Sequence, residues 1–146
     1  MVLVNPVFTL TKDEPLKLER FSQAYAQGSV VIVLCAAWCG TCRGFQETVE
    51  ELAQHFPDTL FVWLDIEDDA EVAGDIDVMN FPSFAVFREG VAVHYGVSLP
   101  HQGVVRRLLA ALLGNSIREA DVPEEILELP QKIQNYLEKS HDYQCR

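Results

Sequence analysis

From Val30 to Cys39 the chain is apolar without a break, and a run with no polar alternation is the mark of a central strand buried on both faces, predicted here over 29–37. The other elements follow from shorter patterns. Val7 to Thr11 reads as a short first strand. Pro15 follows Asp13 and Glu14 as the first residue of a helix should, and Leu16, Leu18, Phe21, Ala24 and Tyr25 recur at helical spacing until Gly28 stops them. After Cys39 the pattern turns helical, with Phe45, Val49, Leu52, Ala53 and Phe56 on one stripe and Pro57 ending it. Leu60 to Ile66 makes the third strand, and Ala70 to Val78 a short acid-rich helix. Phe84 to Phe87 and Val91 to Tyr95 flank Arg88-Glu89-Gly90, a turn whose glycine suits a hairpin. Val104, Val105, Leu108, Leu109 and Leu112 share a face of a last helix over 101–113, closed by Gly114.

The chemistry lies where the apolar strand gives way to the helix, at Trp38-Cys39-Gly40-Thr41-Cys42. The first helical turn leaves backbone N–H groups unpaired, and their partial positive charge stabilises a thiolate at Cys39. Two intervening residues let one turn bring both sulfurs within bonding distance, so the pair can cycle between dithiol and disulfide. A zinc half-site is the competing reading, but zinc needs a second ligand pair. No second Cys-x-x-Cys exists, and His55, His94 and His101 are scattered singly. No metal site is expected. Cys35, within the apolar run, is expected to be buried and inert.

These residues carry a family likeness. Trp38 to Cys42 resembles the Trp-Cys-Gly-Pro-Cys site of thioredoxin-fold proteins, with Thr41 in place of proline. Asn80-Phe81-Pro82-Ser83-Phe84, with Pro82 forty residues after Cys42, resembles the family's Ile-Pro-Thr segment, whose proline is cis and faces the disulfide. The resemblance spans residues 7 to 113. It implies an α/β thioredoxin fold: a central mixed sheet flanked by helices, with residues 1–114 as the thioredoxin-like domain and 115–146 as a helical C-terminal extension packed on it.

The same resemblance assigns the site. Cys39 becomes the nucleophile towards protein disulfides, Cys42 resolves the mixed disulfide, and the Cys39–Cys42 redox disulfide makes an organic cofactor unnecessary. Trp38, Gly40, Thr41, Phe81, Pro82 and Gly96 become the substrate-binding surroundings. An electron-donating reductase is implied as partner. Two departures bear on the role. Typical thioredoxins carry a buried Asp six residues before the first cysteine and a Lys on the third strand; the corresponding residues here are Val33 and Trp63. General protein disulfide reduction is therefore the first expectation. The alternatives are a dedicated oxidase or isomerase for one partner, or a chaperone-like assembly-factor binding module with secondary redox activity.

Composition narrows the setting. With 146 residues, 49% of them hydrophobic, the chain can bury one substantial core. Met1-Val2-Leu3-Val4-Asn5-Pro6 lacks a basic and an apolar signal region, and two of the four cysteines stand outside the motif, so a reducing cytoplasm is expected rather than export. The apolar run is far short of the roughly 20 residues of a membrane span. A net charge of −11 argues against nucleic acid and anionic membrane surfaces as partners. Asp65, Glu67, Asp68, Asp69, Glu71, Asp75 and Asp77 follow one another with no Lys or Arg between them. Such a run is usually a solvated face, and calcium-loop spacing is absent. Beside the site it would steer basic protein substrates.

Beyond residue 114, Pro123 and Pro130 each fit a helix start, and Ile126, Leu129, Ile133 and Leu137 recur at spacings of 3, 4 and 4. The extension is therefore amphipathic. It either covers an exposed part of the domain or serves as a partner or self-association helix. Cys145 is either incidental, the site of an intermolecular disulfide, or a third redox thiol.

Overall fold

The computed structural model describes residues 7–9, 17–36, 40–66, 72, 82–99 and 101–144. Among these, five strands form one mixed sheet. They are β1 (Val7–Thr9), β2 (Ser29–Cys35), β3 (Thr59–Asp65), β4 (Ser83–Arg88) and β5 (Val91–Val97), in the order β1-β3-β2-β4-β5. β1 and β2 run parallel to β3, β4 runs antiparallel to β2, and β5 antiparallel to β4. The helices are α1 (Lys17–Gln27), α2 (Gly40–Gln54), α3 (Gln102–Gly114), α4 (Glu124–Leu127) and α5 (Leu129–Gln144).

Every residue of β3, and all of β2 after Ser29, is buried. The physical reason is that helices cover both faces of the sheet. On one face Ile32, Leu34, Val62 and Leu64 meet Phe21 of α1 together with Ile126, Leu129, Ile133 and Leu137 of the extension. On the other, Val31, Val33, Phe61, Trp63 and Phe84 meet Cys42, Phe45, Val49 and Leu52 of α2 and Val105 and Leu109 of α3. Phe45 and Phe84 lock helix to sheet edge-to-face, with ring centroids 5.9 Å apart.

β4 and β5 are joined by two residues, Glu89 at φ 48° and Gly90 at φ 81°. Two consecutive left-handed residues make the turn whose twist matches that of paired strands, which is why the hairpin closes in so few residues. The chain then leaves α3 and rounds the edge of the sheet. The Arg88 guanidinium donates to the carbonyls of Leu112, at 3.1 Å, and Asn115. The Ala120 N–H donates to the Ala92 carbonyl of β5 at 2.8 Å. This carries the extension to the α1 face, where Ile126, Leu129, Ile133 and Leu137 are at most 4% exposed. These four side chains share one apolar cluster with Phe21, Ile32 and Leu34. Pro123 and Pro130 stand at the starts of α4 and α5.

Some boundaries differ from expectation. β2 ends at Cys35 rather than residue 37, and β5 runs on to Val97 rather than stopping at Tyr95. The helix expected over 70–78 lies outside the described residues except for Val72, which is helical and buried.

Candidate redox site

Five elements converge at one end of the sheet: the last residues of β2 and β3, the first of β4, the last of β5, and the start of α2. Carboxyl ends of parallel strands are where open α/β sheets leave a crevice. Gly40 opens α2 and is exposed, Thr41 follows in the helix, and Cys42 is 1% exposed beneath them. Trp38, Cys39 and Phe81 lie outside the described residues. Pro82 is buried, and its carbonyl accepts the Ser98 N–H at 3.2 Å. β2 and β4 pair down to Leu34 opposite Ser83, so one further step along the register sets Pro82 beside Cys35. Gly96 stands opposite Phe84, and a Cβ there would meet the His94 ring at 3.5 Å, an ordinary contact.

The sequence reading of Cys35 needs correction. Cys35 is fully buried, as its apolar surroundings require, but it is not inert: its sulfur is bonded to that of Cys42. The disulfide in this structure is thus Cys35–Cys42, whereas the motif led to Cys39–Cys42. Alternation along β2 explains the pairing. Val31, Val33 and Cys35 point to the face that α2 covers, and Cys42 heads the buried stripe that α2 lays on that face. The two Cα atoms are 5.7 Å apart, inside the range of roughly 4.4–6.8 Å that a disulfide spans without backbone movement. Both signals are in the sequence. The period-two pattern of β2 is hidden because its other face is buried too.

Around this pair the site is apolar. Val33 is fully buried and stands opposite Trp63 in the parallel register, on the same face as Cys42. Asp65 stands opposite Cys35 and is 7% exposed. The first residue of the acidic run is therefore inside the fold, not on a solvated face. The other acids of the run lie outside the described residues. Sequence reasoning also missed Val97 and Leu99, which are 55% and 62% exposed where β5 passes Ser83 and Pro82. Two apolar side chains left in water at the end of a covered sheet are candidates for substrate contact. His94, opposite Val86, has its Nε2 buried with no hydrogen-bond partner, and burial lowers its pKa. Among the described residues no group of three or more His, Cys, Asp or Glu is placed to hold a metal ion. No helix among them is long and apolar enough to cross a membrane.

The profile of the thioredoxin family matches residues 12–107, most of the chain and all of this end of the sheet. The chain belongs to the thioredoxin family. A thioredoxin H-type protein of Fagopyrum esculentum is 37% identical over 76 residues, covering 51% of this chain and 66% of that protein. A thioredoxin of Bacillus subtilis is 30% identical over 92 residues, covering 62% of this chain and 88% of that one. The crystal structure of a thioredoxin from Trypanosoma brucei brucei has the same fold, with a TM-score of 0.59 at 22% identity over 79% of this chain and 98% of its own. Thioredoxins are thiol–disulfide oxidoreductases that act on protein disulfides through a redox-active disulfide and without a cofactor, and this chain is an oxidoreductase of that family.

Proposed function

We propose that the chain reduces disulfides in protein substrates, with Cys39 attacking and Cys42 resolving. The placement of Cys42 carries this reading: it sits inside the first turn of α2, 1% exposed, three residues after the other motif cysteine. A sulfur so enclosed cannot meet a disulfide on another protein. First contact falls to Cys39, and the positive end of α2 favours its thiolate. The Cys39 thiolate attacks one substrate sulfur, the substrate disulfide breaks, and its second sulfur leaves as thiolate. Cys42 then attacks Cys39 Sγ, forming Cys39–Cys42 and releasing the first substrate sulfur, so two electrons pass to the substrate. A partner reductase restores the dithiol.

By the family resemblance Trp38, Gly40, Thr41 and Phe81 would contact the substrate, with the backbone beside Pro82 as an edge for an extended segment. Val97 and Leu99 add an apolar rim, and Gly96 keeps the rim low. The acids after Asp65 favour basic substrates by long-range attraction. A reducing compartment such as the cytoplasm would suit this chemistry. The missing Asp and Lys, replaced by the buried pair Val33 and Trp63, favour a second reading in which the protein is a weaker reductant dedicated to one partner.

Insulin reduction driven by a thioredoxin reductase tests the assignment. Wild type should be active and Cys39→Ser should fall to background, with limiting iodoacetamide labelling Cys39 before Cys42 in the reduced protein. Activity surviving in Cys39→Ser would sink it. A measured reduction potential separates general reductase from dedicated oxidant.

A further inference from the structure

Cys42 is bonded to Cys35 beneath it on the sheet and has a motif partner, Cys39, three residues before it in the sequence. We infer that Cys35 is a third redox thiol of the site, and that Cys35–Cys42 is the dominant disulfide of the oxidised protein, leaving Cys39 as a free thiol. The inference rests on the proposed reading in one respect, that catalysis first delivers a Cys39–Cys42 disulfide.

The step is an internal exchange that needs no outside oxidant. Cys35 Sγ attacks Cys42 Sγ. The Cys35–Cys42 bond forms, the Cys39–Cys42 bond breaks with its electron pair on Cys39, and the Cys35 proton passes to the Cys39 thiolate. One disulfide replaces another, and two thiols change places.

Three observations favour the exchanged form. Its Cα separation of 5.7 Å falls inside the usual disulfide range, so neither element has to move. Both ends are anchored: Cys35 by the ladder with β3 and by its carbonyl, which accepts the Ile66 N–H at 2.9 Å, and Cys42 by the helical stripe it shares with Phe45 and Val49. Cys35 and Cys42 are also 0% and 1% exposed, so thiols in solution cannot reach the bond. Cys39 lies between the two in the sequence, so the thiol that would reopen the disulfide belongs to the ring of chain that the disulfide closes. In this form the protein stores two oxidising equivalents in its core, between Cys35 and Cys42, and keeps Cys39 as a thiol.

Two measurements on the full chain test this. Phe21 to Arg43 is one tryptic peptide holding all three cysteines. Oxidised protein denatured in acid and blocked with N-ethylmaleimide therefore reports its linkage through the alkylated position. Alkylated Cys39 is expected; alkylated Cys35 throughout would overturn the inference. Second, Cys35→Ala removes the dominant oxidised form. If that form exceeds Cys39–Cys42 tenfold, the variant becomes tenfold easier to reduce, a potential about 30 mV higher. An unchanged potential would overturn the inference. The double variant Cys39→Ser with Cys145→Ser keeps the outcome independent of catalysis: on oxidation its two denatured-state thiols should fall to none. Two thiols persisting there would refute the Cys35–Cys42 pairing while leaving the reductase reading intact. Insulin reduction surviving in Cys39→Ser would instead refute the reductase reading.

Discussion

Val33 and Trp63 stand opposite each other on neighbouring parallel strands, on the face of the sheet that α2 covers and in the same apolar cluster as Cys42. These are the positions where the family resemblance led to an acid and a lysine, so the proton relay of a typical thioredoxin is replaced by a hydrocarbon contact. Cys42 must lose its proton there during resolution, and an apolar pocket disfavours the thiolate. Decay of a trapped mixed disulfide should therefore rise with pH from 6 to 9, with hydroxide or water as base. Val33→Asp should accelerate that decay near neutral pH and lower stability by several kcal/mol, because an unpaired buried carboxylate is costly. Stopped-flow decay measured in both proteins decides it. A flat profile in wild type would point to a base already in place, and Asp65, opposite Cys35 and 7% exposed, is the residue to substitute next.

The hairpin offers a local test. Glu89 holds φ 48° and Gly90 φ 81°, and left-handed backbone suits Asn and Gly far better than Glu. Glu89→Asn should stabilise the fold by about 0.5 kcal/mol, and Gly90→Val should destabilise it by about 1–3 kcal/mol through backbone strain. Urea denaturation resolves both. Equal stability in all three proteins would mean that the turn relaxes at no cost.

Much of this architecture was legible because the signals were long and periodic. The stripe of α2, the unbroken apolar run of β2 and the hairpin glycine each report a local geometry that packing then confirms. What stayed hidden depends on two elements at once. Cys35 reads as core from β2 alone, and becomes a partner of Cys42 only when α2 is laid on the same face. Asp65 reads as the first of a solvated run, yet its place opposite Cys35 puts it inside. Val97 and Leu99 look like the fading end of a strand until β4 places them beside Pro82. The extension showed its apolar stripe, but not that Ala120 bonds β5 on its way to the α1 face.

That route makes the extension part of the core. Leu129 is fully buried and Leu127, two residues earlier on the other side, is 49% exposed. Leu129→Ala should cost about 2–5 kcal/mol and Leu127→Ala less than about 0.5 kcal/mol. Truncation after Asn115 strips four buried side chains, each worth about 1.5–3 kcal/mol, and should lower the melting temperature sharply or abolish folding. Thermal denaturation with sedimentation tests both. An unchanged melting temperature with a change from dimer to monomer would make the extension an interface instead.

His94 gives a prediction in pH. Its Nε2 is buried without a hydrogen-bond partner, and burial alone lowers its pKa below the ordinary 6.5. The unfolded chain therefore takes up this proton at a higher pH than the folded one. Stability from this group is fully present above the unfolded pKa and is lost as pH falls from about 6.5 towards the lowered folded value. Carboxylates titrate near 4, so the window from about pH 7 to 5 belongs mainly to histidine. His94→Leu should flatten the loss of stability across that window. At pH 7 it should be neutral or stabilising, since it removes a buried nitrogen that has no partner and fills the space with carbon. Urea midpoints for both proteins at half-unit steps of pH test this. Parallel curves from pH 7 to 5 would mean that the imidazole finds solvent in the folded protein and titrates as it does in the unfolded chain.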